Sequence, residues 1–379
     1  MSRKAEPKNL QHRAATHCQG RSGSGRPLYF RQKKTIFVSG KQKQTHTKTT
    51  QMKFRYILAA FAAFSLISGC DDSLMDPDRN GQTDGREESG NGENGSGVEE
   101  NPEEKYGWFE LPAIPDEDGD RIDDNDPTLY YAYHICAGGE KDDKGRKARN
   151  YTVCYSAEHH CPVWVAAPRH AMYEEKNTER TDAYGKDPDI PADIQYHSKS
   201  TGDGCNKGHM LGSRERLSSK ATNRQVFYYT NIAPQLSSTF NTGGGAWNNL
   251  EDHIDGLVCR DTLYEVVGCH FDKFTDAYGK STDPVTISFG GRNDVSRPTM
   301  FYYALLRTKS GNLNKPVSQC TADELQCVAF CIRHTMEKGH EPQAKDMISI
   351  TDLEKLTGFS YFTNVPNAPK DRFDPSDWL

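Results

Sequence analysis

CNKGHMLGSRE, residues 205–215, sets His209 directly behind Gly208 in a stretch with neither helical nor strand periodicity. The imidazole is either a surface accident or a group that the chain is shaped to hold. Working outward, three further stretches ask for the same explanation: Arg180 in NTERTDAYGKDPDIP (177–191), Asn231 in FYYTNIAPQ (227–235) and Asn241 in FNTGGGAWNNLE (240–251). The last of these opens a helix, because Trp247, Leu250, Ile254 and Leu257 fall at helical spacing. Trp247 belongs to the core by this pattern rather than to a base-stacking surface.

Strand signals surround these stretches. NYTVCYS and PVWVAA are short β-rich runs joined by AEHH, which predicts a hairpin. FYYTNIA, TLYEVVGC and TMFYYALLR read as further strands, and CTADELQCVAFCIRH as a turn leading into one. TDLEKLTG (351–358) has Thr351 three residues before Glu354, a helix-start signal, and closes at Gly358. Strands mixed with scattered helices, without an internal repeat, predict one α+β domain over residues 128–379.

The chain of 379 residues is only 35% hydrophobic, with a mean hydropathy of -0.82, so polar segments dilute a smaller globular part. Residues 1–51 hold twelve Lys or Arg against one acid and have no apolar periodicity, as expected of upstream or disordered basic sequence. Residues 52–70, MKFRYILAAFAAFSLISGC, combine a basic start, a short apolar run and small residues before Cys70. That run is too short to span a bilayer and reads as a secretion signal. The ending LISGC resembles a bacterial lipobox, which implies lipidation of Cys70 and an exported lipoprotein of the outer membrane, facing the periplasm or the cell surface. Residues 71–114 read as an acidic flexible tether. Export favours disulfides, but nine cysteines follow Cys70, so at least one thiol stays unpaired.

PDEDGDRIDDNDP (115–127) crowds Asp116, Asp118, Asp120, Asp123 and Asp126 around Gly119. Alternating carboxylates with a glycine for the turn are what an oxygen-ligated Ca²⁺ loop requires. An acidic linker is the plainer reading, since no distal bidentate Glu stands in EF-hand register.

The order G-H, then N-I-A-P-Q, then F-N with W-x-x-L-E resembles the DNA/RNA non-specific endonucleases, a ββα-metal (His-Me finger) family that includes secreted nucleases and mitochondrial endonuclease G. PVWVA, LYEVVGC and ITDLEKLTGF extend the likeness over residues 150–365. The resemblance implies a mainly antiparallel sheet with flanking helices and a nuclease acting on DNA, RNA or both. Carried over residue by residue, it makes His209 the general base, Asn241 the direct ligand of Mg²⁺ (or Mn²⁺), and Asn231 a supporting residue. Glu251 would hold water of the ion's hydration shell, while Arg180 and Lys207 would face the phosphate. A homodimer is left open.

Two departures stand out. Asn206-Lys207-Gly208-His209 replaces the family's D-R-G-H, and lysine lacks the planar fork with which arginine grips phosphate. Extra glycines between Asn241 and Trp247 are expected to loosen the metal loop. The altered pair leaves a second reading open, a weakened surface lipoprotein that binds nucleic acid or calcium on the same scaffold. Nucleic acid would have to be held in a local groove, for which Arg180, Lys199, Lys207, Arg214, Arg216, Lys220 and Arg224 are candidates.

Overall fold

Antiparallel pairing organises the chain. The computed structural model describes residues 108–142 and 145–379, so the basic segment 1–51, the signal ending at Cys70 and the tether up to residue 107 lie outside the described residues. Seven strands form one sheet: β1 (Leu129–Ile135), β2 (Arg149–Ser156), β3 (Cys161–Arg169), β6 (Leu263–His270), β11 (Met300–Thr308), β12 (Leu325–Arg333) and β13 (Met347–Ile348), in that spatial order and antiparallel throughout. Three two-stranded pairs stand apart from it: β4 (Cys205–His209) with β5 (Ile232–Leu236), β7 (Phe274–Thr275) with β8 (Ser281–Thr282), and β9 (Val285–Phe289) with β10 (Arg292–Arg297). Among the described residues the α-helices are α1 (Ala171–Glu174), α2 (Lys220–Gln225), α3 (Ala246–Asp255) and α4 (Ile350–Thr357).

Both faces of the sheet are covered, which is why its strands read as unbroken apolar runs. Successive side chains of a strand point to opposite faces. Phe301, Tyr303 and Leu305 therefore share one core with Val328 and Phe330, while Tyr302, Ala304 and Leu306 share the other with Cys327 and Ala329. The first core is closed by Met210, Leu211 and Ala233 from the β4–β5 region and by Trp247, Leu250 and Ile254 from α3. Trp247 is fully buried and stacks on Phe240 and Tyr303, as its spacing predicts. The second core takes Ile350 and Leu353 of α4. The ββα unit thus rests on one face of a rigid platform.

Several expectations change. Trp108–Ile114 belongs to the fold and not to the tether: Leu111 is buried and Trp108 packs edge-on to Tyr133 under Arg149. Tyr229–Asn231 is a 3₁₀ turn, and the strand read from FYYTNIA begins only at Ile232. The cap of α4 is Ser349, whose hydroxyl accepts from the Asp352 amide, two residues ahead of the Thr351 signal. The nine cysteines from Cys136 onward are all free and eight are buried. They serve as small apolar core residues rather than as cross-links.

Candidate active site

His209 ends β4, opposite Ile232 of β5. Strand pairing, not periodicity, makes this segment extended, contrary to the reading of 205–215 as irregular. The ring packs edge-on to Phe227 at 4.8 Å and lies 5.9 Å from Tyr184, and its Nε2 is enclosed without a hydrogen-bond partner. Burial, reinforced by the Arg180 charge and then by Lys207, pushes its pKa down to about 3, against the opposing pull of Asp182. The imidazole is therefore neutral at neutral pH.

Aromatic rings also place the two cations. The Arg180 guanidinium lies 4.8 Å over Phe227, donates to Asp182 Oδ1 (2.7 Å) and reaches the Tyr184 hydroxyl (3.0 Å). Lys207 Nζ sits 4.9 Å over Tyr184 and donates to the Lys199 carbonyl (3.1 Å). Tyr184 and Phe227, 5.0 Å apart, thus hold Arg180, Lys207 and His209 in one small region.

The same hairpin joins His209 to Asn241. Gly208 leaves room for the Gln235 side chain: a Cβ there would lie 2.0 Å from Gln235 Cδ. Gln235 Oε1 accepts from Asn241 Nδ2, Asn206 Nδ2 donates to the Asn241 carbonyl (3.0 Å), and the Asn241 amide donates to Leu236 (2.8 Å). The Asn241 side-chain oxygen has no hydrogen bond among the described residues. The glycines after it are tight rather than loose. Gly244 adopts φ 75°, a Cβ on Gly245 would meet the Phe240 carbonyl at 2.3 Å, and the Gly244 carbonyl accepts from Gly339 (2.8 Å).

Asn231 is wholly buried, and its amide is consumed by the backbone. Oδ1 accepts from Leu211 N (2.9 Å), while Nδ2 donates to the Leu211 and Val226 carbonyls (2.9 and 2.7 Å). It fastens the residues that follow His209 and is a positioning residue, not a catalytic one. Glu251 sits half-buried on α3, with the Trp247 indole as its hydrogen-bonding neighbour. Burial, then the neighbouring Asp255 charge, pushes its carboxyl up to about 8. Its charged neighbours are Asp255, Asp252 and Arg214, not those of His209.

An uncommitted amide oxygen on Asn241 and, on α3, a carboxyl raised mainly by burial are hard oxygen donors, of the kind that a divalent cation takes. Sequence and geometry now converge. A model of the family described as DNA/RNA non-specific endonuclease matches residues 133–368.

The chain belongs to the DNA/RNA non-specific endonuclease family.

Among relatives of this endonuclease family, a nuclease of Nostoc sp. (strain PCC 7120) is 27% identical over 221 residues, covering 57% of this chain and 73% of that protein. Nuclease C1 of Cunninghamella echinulata var. echinulata is 24% identical over 184 residues, 48% of this chain and 67% of that protein. The mitochondrial nuclease of Saccharomyces cerevisiae is 20% identical over 260 residues, 65% and 72% of the respective chains. A solved EndoG/EndoGI complex contains a chain 22% identical at a TM-score of 0.46, covering 57% of this chain and 84% of that one.

Not every cation expected to meet nucleic acid is free to do so. Arg216 is buried, bound to Asn150 and to the Pro168 carbonyl, and Arg214 is tied to Asp252 and Asp255. Sequence reasoning also missed Gln235, a buried amide in the otherwise apolar strand IAPQL whose Nε2 has no partner; a lone polar residue in such a strand is the signal. It missed a buried knot as well. His134 Nε2 lies 2.9 Å from Asp187 Oδ2, which also accepts from Thr230 Oγ1 (2.6 Å), while Asp187 Oδ1 accepts from Asp189 N (3.0 Å). His134, Asp187 and Asp189 bring ligand atoms within 4.8 Å of one another, but these bonds already occupy both Asp187 oxygens. The knot holds the chain that carries Tyr184 against the residues leading into β5.

Proposed function

We propose that this chain is a metal-dependent endonuclease that hydrolyses phosphodiester bonds of DNA or RNA without reading base sequence. The observation that carries the reading is His209: an enclosed, neutral imidazole beside two cations, joined to the Asn241 side chain through Gln235, which packs against Gly208. His209 takes a proton from water through Nδ1, the nitrogen that is not enclosed. The water oxygen attacks phosphorus and the bond to the 3′-oxygen breaks, leaving a 5′-phosphate and a 3′-oxygen that takes a proton from solvent to become a hydroxyl. Arg180 and Lys207 neutralise the phosphate as charge builds on its oxygens. A divalent cation held by Asn241 supplies Lewis-acid stabilisation of the departing oxygen when bound.

A base of pKa about 3 is weak; burial, the larger cause, stays, but the share due to Arg180 and Lys207 can be offset. Seating a phosphate anion against Arg180 and Lys207 offsets the charges that depress His209, so its proton affinity rises when substrate is in place. Contacts to phosphate carry no base information, and low specificity with steep salt dependence follows.

Plasmid digestion by the full chain tests this reading. Cleavage is expected with Mg²⁺, none with EDTA, and far slower cleavage from His209→Ala with Mg²⁺. Full cleavage by that folded variant would reject the assignment.

A further inference from the structure

The acidic loop ahead of β1 is not used by any of this chemistry. Three of its carboxylates converge: oxygens of Asp116, Asp118 and Asp120 lie within 4.8 Å of one another. Backbone amides take one oxygen from each, with Arg121 N on Asp116 Oδ2 (3.2 Å), Asp120 N on Asp118 Oδ1 (3.1 Å) and Ile122 N on Asp120 Oδ1 (2.8 Å). The second oxygens are left without a hydrogen bond among the described residues. Crowding alone does not make a site, because exposed acids often cluster.

Asp116 supplies the independent observation. It is 7% exposed, and its Oδ1 is enclosed with no partner at all. A carboxylate oxygen withdrawn from water without a donor is costly, and two more carboxylates beside it raise that cost. A cation removes both penalties. We propose that Asp116, Asp118 and Asp120 form a Ca²⁺ site, independent of the phosphodiester reading.

The rest of the loop shapes it. The Asp124 carboxylate accepts from Glu117 N (2.8 Å) and the Asp124 amide donates to the Pro115 carbonyl (2.7 Å), closing the loop at its base. Asp123 and Asp126, also expected as ligands, stand outside this cluster: both Asp123 oxygens are engaged, by Asn125 N and Asp126 N and by the Tyr131 hydroxyl, and Asp126 turns Oδ1 to the Thr128 amide and hydroxyl. Three carboxylates with water completing the shell suit Ca²⁺, which tolerates irregular coordination by six to eight oxygens. Mg²⁺ demands octahedral order and favours few carboxylates. The loop is fastened to the sheet through an Ile122–Tyr130 bridge and the Tyr131 N–Arg121 O bond (2.8 Å), so the cation would pin the chain where it joins β1. Affinity on the order of 10⁻⁴–10⁻³ M, that of extracellular calcium modules, is expected.

The test uses the full chain, stripped with chelator, and Ca²⁺ itself as probe. Asp118 and Asp120 are exposed, so the double variant Asp118→Asn/Asp120→Asn folds without the ion. Equilibrium dialysis in millimolar CaCl₂ should show the wild type binding one more Ca²⁺ than the double variant. That difference should persist in an Asn241→Ala background, which removes the other cation site from both. Ca²⁺ should raise Tm in the wild type and not in the double variant, and Mg²⁺ at equal concentration should raise it less. Equal stoichiometry in wild type and double variant, or an equal rise in Tm, overturns the assignment whether or not the chain cleaves nucleic acid.

Discussion

Two buried histidines lie at the ends of strands, and they differ in how their ring nitrogens are bonded and in the charges beside them. His209 ends β4 and His334 follows β12. Burial pushes both down to about 3. His334 is fully bonded: Nε2 accepts from Leu236 N (2.9 Å), Nδ1 lies 2.7 Å from the Pro298 carbonyl, and the ring meets Phe240 and Phe301 edge-on. His209 has a bare Nε2 and two cations for company. A depressed pKa therefore does not tell a structural histidine from a reactive one, whereas the tally of its hydrogen bonds does.

The sharpest way to break this contrast is to truncate both rings. His209→Ala should lower the cleavage rate by about 10²–10⁴-fold, the range of a lost general base, with little change in urea midpoint. His334→Ala leaves the Leu236 amide and the Pro298 carbonyl unpaired and should cost about 2–4 kcal/mol in urea unfolding, while the rate per folded molecule stays near wild type. Equal rate losses in the two folded variants would erase the distinction. Asn231→Ala, which strips three backbone groups of their partner, should cost about 3 kcal/mol, and it should also slow cleavage because the residues after His209 loosen.

Titration sharpens the contrast further. Both histidines fold with a depressed pKa, so each contributes stability that is present above the unfolded value near 6.5 and is lost as pH falls toward 3. Only His209 responds to substrate: the acid limb of kcat/KM, which reports the free enzyme, should lie at lower pH than that of kcat. Coincident limbs would show that phosphate does not retune the imidazole. Glu251 runs the opposite way. Its folded pKa is raised, so its contribution is complete below 4.5 and lost as pH climbs through about 8. Tm of the metal-free chain should fall across that window, and Glu251→Gln should flatten the fall. The smallest effect is expected from Lys207→Arg, a few-fold lower KM from two-bond phosphate contact with kcat nearly unchanged.

Sheet strands such as β3, β6, β11 and β12 were legible because both faces are buried and their sequences stay apolar throughout. β4 was not, since five residues that include Asn206, Lys207 and Gly208 carry no period and become a strand only by pairing with β5. The order of the motifs singles out His209, Asn231 and Asn241, but the two amides separate only in space, where that of Asn231 is engaged by backbone and that of Asn241 keeps its oxygen. Gln235, Tyr184 and the His134–Asp187 knot were missed because their partners come from distant segments. Arg216 looked like a phosphate ligand until its burial was known.

The whole ββα unit interrupts a ladder: β3 ends at Arg169, β6 begins at Leu263, and those two residues face each other in adjacent strands. A folding chain must therefore bring the two ends of a roughly ninety-residue excursion together before the middle of the sheet can zip. Because that closure cost rises only logarithmically with length, the excursion tolerates its size thermodynamically but delays assembly. The region around His209 is consequently expected to mature late in folding, together with the closing of the sheet.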